Sequence, residues 1–264
     1  MRSIIAKTLL LLLGLFLISY GATLEETFKR RIPIEDIERL SVYNVNGSIK
    51  VSSWDQPAIE VVAYKKVRAG NTAQAERRLS ELEIEIAETA EGLEVQTRFP
   101  RKTSGGGFFA WLLGESGSSA SVNYEIKVPR KLDLELHSTN GKLVLTDCEG
   151  MIKLYTTNGK IEAENIRGTI NARTTNGSIN VLMDALQPEE GLRLRTTNGS
   201  IKLYLPADTN ADLDAKTVNG SIRCELPLQE RSYSSKKRLQ GMINDGGPLI
   251  YLKTTNGSIR ILER

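Results

Sequence analysis

Apolar and polar residues alternate along most of the second half of the chain, on both sides of a recurring Asn-Gly pair. In one copy, Ile152 and Leu154 precede the pair at alternate positions, and Ile161 and Ala163 follow it in the same way. A period of two is typical of strands that bury one face. Each copy is therefore predicted to form a strand, a turn and a second strand.

The Asn-Gly pair is the most regular feature of the sequence, and we predict that each copy is a structural turn. From Asn140 onwards most copies lie roughly 20 residues apart, which is the spacing of repeat architectures. Because Asn-Gly favours tight type I′ turns, a series of hairpins is one interpretation. Near-identical copies favour instead coils stacked along an axis, with ladders of Asn and Thr. The seven pairs are Asn46-Gly47, Asn140-Gly141, Asn158-Gly159, Asn176-Gly177, Asn198-Gly199, Asn219-Gly220 and Asn256-Gly257.

The predicted fold is all-β: a single-chain β-solenoid, similar to a right-handed β-helix, built from stacked strand–turn–strand coils. An antiparallel β-sandwich is the alternative. Residues 131–264 form the repeat solenoid, with a basic insertion at 229–246. Residues 23–130 form a β-rich N-terminal part that caps the solenoid, because an uncapped end would expose a free sheet edge. This part includes a short helix at 72–81, for which Thr72 is a possible N-cap.

The repeated pattern G-x-I-x-L-x-T-T-N-G-x-I-x-V resembles the bacterial "putative adhesin" domain, a family of unknown function that is similar in appearance to the heads of autotransporter adhesins. The resemblance covers residues 30–264, including Val128-Pro129 and the segment GGPLIYLKTTNGSI at 246–259. It implies a sheet surface presented for binding. It brings no active-site residues with it.

The N-terminus has the composition of a signal peptide over residues 1–21. Arg2 and Lys7 form a basic region before an apolar stretch from Thr8 to Tyr20, and Ser19 and Gly21 supply the small residues of a cleavage site after Gly21 or Ala22. The apolar stretch is shorter than the ~20 residues of a membrane-spanning helix. We therefore predict cleavage and no stable membrane span, with an uncleaved anchor as the alternative. The mature protein is predicted to be periplasmic, at the cell surface or secreted.

The composition argues against several classes of partner and of binding site. The chain has 35 Lys and Arg against 32 Asp and Glu, and this near balance argues against a nucleic-acid partner. One His and two Cys exclude the common zinc-ligand spacings and a disulfide framework. The sequence predicts no metal and no cofactor.

Outward-facing positions next to the turns carry basic and aromatic residues, which form the candidate stripes for surface binding. Stacked coils would place these residues side by side, where Arg can pair with carboxylates and aromatic faces can stack on sugars. Envelope or extracellular polysaccharides, or a surface protein, are the predicted partners. Ordinary solvent exposure is the alternative explanation. Before the turns lie His137, Tyr155, Arg173, Arg195, Lys216 and Lys253, and after them lie Lys202, Arg223 and Arg260.

A Gly/Ser-rich segment at 101–120 is predicted to be a flexible loop and contains unusually large apolar residues. Phe108, Phe109, Trp111 and Leu112 would form an interaction loop that contacts a membrane or a partner. The alternative is a segment folded back over the open end of the solenoid. Self-association of the protein is compatible with either arrangement.

These features predict an exported, non-enzymatic, adhesin-like protein of the bacterial envelope that binds or presents a surface. A periplasmic structural scaffold is one alternative. A polysaccharide lyase or hydrolase is the other, since solenoids also carry such enzymes. Those reactions need clustered carboxylates or a carboxylate-bound metal, and the acidic residues near the turns form no repeating cluster in the sequence.

Overall fold

The computed structural model describes residues 22–34, 37–98, 119–187 and 191–264. The predicted signal peptide at 1–21 lies outside the described residues. So do Phe108, Phe109, Trp111 and Leu112 of the predicted interaction loop.

The described residues form twenty strands and one helix. Their bounds are β1 (Thr23–Pro33), β2 (Arg39–Tyr43), β3 (Ile49–Trp54), β4 (Ala58–Arg68), α1 (Thr72–Ser80), β5 (Glu83–Thr89), β6 (Gly92–Arg98), β7 (Ser119–Pro129), β8 (Asp133–Ser138), β9 (Leu143–Thr146), β10 (Glu149–Thr156), β11 (Ile161–Arg173), β12 (Ile179–Leu186), β13 (Leu192–Arg195), β14 (Ile201–Leu205), β15 (Ala211–Lys216), β16 (Ile222–Cys224), β17 (Leu228–Ser234), β18 (Arg238–Ile243), β19 (Leu249–Lys253) and β20 (Ile259–Glu263). The fold is therefore all-β apart from α1, as predicted.

The strands before the Asn-Gly pairs build one layer, which we call sheet A, and the strands after them build a second layer, sheet B. In sheet A the parallel strands are ordered β6, β2, β8, β10, the second half of β11, β13, β19 and β15. In sheet B they are ordered β7, β3, β9, the first half of β11, β12, β14, β20 and β16. Each coil thus contributes one strand to each sheet. Parallel pairing confirms the solenoid, because an antiparallel sandwich or a series of hairpins would pair neighbouring strands in opposite directions.

The core lies between the two sheets and is continuous along the stack. Within sheet A, Leu134, Ile152 and Ile170 occupy the same register position on three adjacent strands, and all are buried. Within sheet B, Ile161 and Ile179 are paired and fully buried. The apolar residues of the alternating sequence pattern are therefore the ones that point inward. Residues of the same apolar type stack on each other from coil to coil. All of them belong to one hydrophobic cluster.

The N-terminal part continues both sheets. The copy at Asn46 forms a coil of the same stack, since β2 pairs with β8 and β3 pairs with β9. Beyond β7, sheet B continues with β4 and then β1, each antiparallel to the strand before it. Sheet A continues beyond β6 with the antiparallel strand β5. Helix α1 packs on β1 and β4 through Ala75 and Leu79. Its N-cap is Asn71 and not Thr72, because the Asn71 Oδ1 accepts a hydrogen bond from the Gln74 backbone N–H at 2.9 Å.

The C-terminal end of the stack does not follow the order of the sequence. The coil of Asn256 lies between the coils of Asn198 and Asn219, because β19 pairs with both β13 and β15 and β20 pairs with both β14 and β16. The insertion at 229–246 contributes a hairpin, β17 and β18, and β18 pairs antiparallel with β15. This hairpin covers the open edge of sheet A at the C-terminal end of the stack.

Each Asn-Gly pair lies at the corner between the two sheets, and the Asn side chains form one ladder. From Asn140 onwards, the Nδ2 group of each Asn donates to the Oδ1 atom of the preceding Asn in the stack, at distances between 2.7 and 2.8 Å. Thr side chains two residues before the Asn add a second set of contacts. Thr174 Oγ1, for example, donates to the Gly159 carbonyl of the adjacent coil at 3.0 Å. The Asn ladder runs in the order Asn46, Asn140, Asn158, Asn176, Asn198, Asn256 and Asn219.

The glycine of each corner is required by close stacking. A Cβ atom on Gly177 would lie 2.0 Å from the Gly159 carbonyl oxygen, and one on Gly199 would lie 2.0 Å from the Gly177 carbonyl oxygen. Neither backbone is in the left-handed region. The corner therefore differs from the type I′ hairpin turn for which Asn-Gly is best known, and the missing side chain leaves room for the neighbouring backbone.

Candidate functional site

Six residues of the candidate stripes lie side by side on the outer face of sheet A. They form the outer row of sheet A, which also includes Tyr43, a residue that the sequence prediction omitted. Paired strand positions connect each member to the next. The row runs across the strands, along the axis of the solenoid. Its order is Tyr43, His137, Tyr155, Arg173, Arg195, Lys253 and Lys216.

The first part of the row is aromatic. The His137 ring stacks on Tyr43 with a centroid distance of 4.9 Å and contacts Tyr155 at the same distance. His137 Nε2 also lies 2.8 Å from Glu135 Oε1. The pKa of the Glu135 carboxyl is lowered by this hydrogen bond with His137 and by the charge of Lys153, against the opposing effect of burial. At this end of the row, the Glu135 carboxylate is thus compensated by His137 and Lys153.

The second part of the row is basic and is arranged around a tyrosine. Tyr251 lies on β19 next to β13, and its ring centroid is 4.9 Å from the Arg195 guanidinium carbon and 5.6 Å from that of Arg193. Contacts of this kind attract a cation to an aromatic face. The Arg195 Nε atom is buried and has no hydrogen-bond partner within the part of the chain that the structure describes. Two guanidinium groups therefore lie against the Tyr251 ring, and the Arg195 Nε–H donor has no partner among the described residues.

A shallow groove of about 290 Å³ lies beside the row on the same face of sheet A. Lys153, Asn171, Arg193 and Tyr251 line one side of it, in adjacent register positions. Gly191 and Leu249 line the other side, and Leu249 is 45% exposed. The groove thus combines cationic, amide and aromatic groups with an apolar patch, which is a suitable lining for a sugar ring with an acidic substituent.

Charge is distributed unevenly along the solenoid. Residues 192–264 contain 12 Lys or Arg and 7 Asp or Glu, whereas residues 22–191 contain 21 and 25. In the N-terminal and central coils many basic groups are paired, for example Lys50 with Glu125 and Lys65 with Glu26. Within the described residues, no carboxylate lies at ion-pair distance from Arg173, Arg193, Arg195, Lys216 or Lys253. Within the part of the chain that the structure describes, the basic part of the outer row is therefore not neutralised by ion pairs.

The remaining three candidate residues lie on sheet B. Lys202 pairs in register with Arg260, and Arg260 with Arg223, so that they form a second row, which we call the basic row of sheet B. The two sheets enclose one core, and their outer faces point in opposite directions. The nine predicted residues thus form two separate surfaces and not one.

Other candidate chemistry is sparse in the described parts of the chain. No group of three or more His, Cys, Asp or Glu is arranged to hold a metal ion there. Cys148 is buried and Cys224 is partly buried, and neither forms a disulfide within the described residues. None of the described helical residues forms a segment long and apolar enough to cross a membrane.

The prediction from sequence missed several residues of the sheet A surface, among them Tyr43, Arg193 and Tyr251. Tyr43 stands three residues before Asn46, so the rule that selected His137 could have found it. Arg193 and Tyr251 stand five residues before their Asn, at the next outward position of the same strands. Applying the alternation to that position as well would have identified them.

The chain is similar to solved structures and to one protein family. No curated protein matches the chain. A "putative cell adhesion protein" from Clostridium sporogenes is 12% identical, with a TM-score of 0.48 over 90% of this chain and 100% of its own. A "putative adhesin" from Bacteroides fragilis is 10% identical, with a TM-score of 0.42 over 90% of this chain and 97% of its own. The sequence profile described as Toastrack DUF4097 matches residues 20–262 and confirms the resemblance seen in the repeat. The chain, with its stacked strand–Asn-Gly–strand coils, belongs to this Toastrack family.

Proposed function

We propose that this protein is a non-enzymatic binding protein of the bacterial envelope, and that the outer row of sheet A binds an anionic polysaccharide. The observation that carries the proposal is the basic part of this row, where Arg173, Arg195, Lys253 and Lys216 lie on adjacent strands without carboxylate partners in the described structure. Such a row costs electrostatic energy in the free protein. A polyanion relieves that cost when it binds.

The spacing and chemistry of the row suit a polymer better than a small ion. Neighbouring strands are about 4.8 Å apart, so the row offers cationic groups at regular short intervals along one line. Arg forms bidentate hydrogen bonds with carboxylates. Tyr155 and Tyr251 supply rings on the same face, against which a sugar can pack.

The proposed location outside the cytoplasm rests on the signal-like composition of residues 1–21. The same location is where acidic polysaccharides are available. In this role the solenoid holds the binding face rigid, because each coil is fixed to its neighbours by backbone and Asn side-chain hydrogen bonds. We include surface presentation and adhesion as the biological outcome of such binding.

The test is binding of the purified protein to polygalacturonate, with neutral dextran as the comparison polymer, at about 0.05 and 0.5 M salt. We expect salt-sensitive binding to polygalacturonate only. Arg173→Ala combined with Arg195→Ala should weaken it about tenfold or more, because two charge-assisted contacts are lost. The matched control is Lys50→Ala with Lys142→Ala, which removes two charges that are already paired with Glu125 and Glu162.

Two results would overturn the proposal. The first is unchanged affinity in the Arg173→Ala, Arg195→Ala variant when its thermal unfolding is also unchanged. The second is release of reducing ends from polygalacturonate during incubation, which would identify an enzyme.

A further inference from the structure

The basic row of sheet B shares one feature with the outer row of sheet A, a line of basic residues on adjacent strands. Lys202, Arg260 and Arg223 are adjacent in register on β14, β20 and β16. Arg260 and Arg223 are exposed, and Lys202 is partly exposed. No ion pair is formed by any of the three within the described residues. Like charges on neighbouring strands repel each other. Among the described residues, no carboxylate compensates this repulsion by an ion pair.

The two rows are linked coil by coil. In each of the last three coils, one strand carries a basic residue of sheet A, the chain turns at the Asn-Gly corner, and the next strand carries a basic residue of sheet B. The pairs are Arg195 with Lys202, Lys253 with Arg260, and Lys216 with Arg223. A single polymer chain cannot contact both members of a pair without crossing the corner, because the core separates the two faces.

The surroundings of the sheet B row suit a hydroxyl-rich ligand. Ser200, Ser258 and Ser221 form a parallel row of hydroxyls two residues before the basic residues, and Ser258 Oγ lies 3.4 Å from Ser221 Oγ. Tyr204 stands two residues after Lys202 on the same strand and is partly exposed. Hydroxyls, a ring and unpaired cations thus lie together on this face.

We propose that the basic row of sheet B is a second, independent site for polyanions, and that one molecule bridges two polysaccharide chains through its opposite faces. The inference rests on the proposed function for the sheet A site but concerns different residues. Both rows run along the solenoid axis, so each polymer lies across the strands. The protein then acts as a cross-link, whose thickness is that of the two-sheet solenoid.

Stoichiometry and cross-linking test this directly. Titration calorimetry with short oligogalacturonate should give two oligomers per molecule. Lys202→Gln combined with Arg260→Gln should reduce this to one, as should Arg173→Ala with Arg195→Ala, and all four changes together should abolish binding. Long polygalacturonate mixed with wild-type protein should form a viscous network or turbid suspension. Either double variant should bind the polymer without forming the network. Lys50→Ala with Lys142→Ala is the control on sheet B.

The outcomes separate the two proposals. One oligomer per wild-type molecule, lost only in the sheet A variant, overturns the bridging inference and leaves the proposed function standing. One oligomer lost only in the sheet B variant overturns the sheet A site. Two oligomers that persist in the Lys202→Gln, Arg260→Gln variant show that the second site lies elsewhere and overturn the assignment to sheet B. Circular dichroism of each variant distinguishes lost binding from lost folding.

Discussion

The side-chain amide of Asn219 donates a hydrogen bond to the side-chain carbonyl of Asn256 at 2.8 Å, although 37 residues of chain separate them. Asn256 in turn donates to Asn198 at 2.7 Å. The last Asn-Gly copy in the sequence is therefore an interior member of the ladder, and the preceding copy is the terminal one. This arrangement allows interior and terminal positions to be compared with the same substitution.

We expect Asn176→Ala to destabilise the protein about twice as much as Asn219→Ala. Asn176 donates to Asn158 and accepts from Asn198, whereas Asn219 is seen only as a donor to Asn256 within the described residues. At about 1 kcal/mol for each lost hydrogen bond, the expected losses in unfolding free energy are about 2 and about 1 kcal/mol. Urea unfolding measures both. Equal losses in the two variants would show that the ladder hydrogen bonds do not determine stability here.

Gly177→Ala should be strongly destabilising, by about 3 kcal/mol or more. The new Cβ atom would meet the Gly159 carbonyl oxygen at 2.0 Å, and this backbone cannot retreat without separating the coils. Gly70→Ala is the matched control, because its Cβ atom would meet only the end of the Gln74 side chain, at 3.3 Å. Thermal unfolding of both variants gives the comparison. A Gly177→Ala protein as stable as the Gly70→Ala protein would refute close stacking as the reason for this glycine.

Acidification should remove the stabilising effect of Glu162. Burial raises the pKa of its carboxyl, but hydrogen bonds and charge from Lys142 and Lys160 outweigh burial, and the net pKa is lowered. Because the folded-state pKa lies below the unfolded-state value of about 4.3, the contribution is present above that value and is lost as the pH falls through the folded-state pKa. Glu162→Gln should therefore lower stability at pH about 7 and have less effect at pH about 3.

Urea unfolding at the two pH values measures this difference. Glu25→Gln serves as the control, since the Glu25 side chain is 63% exposed in its pair with Lys66. Exposed pairs contribute little to stability, so this variant should behave like the wild type at both pH values. A constant effect of Glu162→Gln across the pH range would contradict the assignment of its ion pairs.

Cys148 should be unreactive in the folded protein. Burial, followed by the nearby charge of Asp147, raises the pKa of its thiol to about 12, and the residue is 1% exposed. The thiolate is the reactive form, so iodoacetamide at pH about 8 should leave Cys148 unmodified until denaturant is added. Peptide mass spectrometry with and without denaturant gives the answer. Rapid alkylation of Cys148 in native protein would show that this corner of the coil opens readily.

Alternation around the Asn-Gly pairs was sufficient to predict the strands, their inward faces and the solenoid. Buried residues such as Ile152 and Ile170 belong to a pattern in which every second residue is apolar. The pattern arises because one face of each strand is buried in the core. The sequence also indicated that Arg173 and Arg195 would be neighbours, because adjacent copies stack in register.

The order of the last coils could not be predicted in the same way. The copies at Asn198, Asn219 and Asn256 have nearly the same sequence, so each can pair with either of the others, and local pattern does not distinguish the arrangements. The hairpin β17–β18 was not predicted either, since the sequence identified residues 229–246 only as a basic insertion in the repeat. β18 pairs with β15 and β17 pairs with β18, so the hairpin depends on a tertiary contact that its own sequence does not indicate.

The interior position of β19 and β20 has a consequence for synthesis. The ribosome makes these strands after the two coils between which they lie, and earlier coils begin to fold from the N-terminus during synthesis. Until then the coils of Asn198 and Asn219 expose edges that match each other, and nothing in their sequences prevents a premature pairing. The final segment must therefore enter between two surfaces that attract each other. We expect the native arrangement to form only after residues 249–263 have been made, so that a nascent chain stalled before residue 249 pairs the wrong coils and is not merely incomplete.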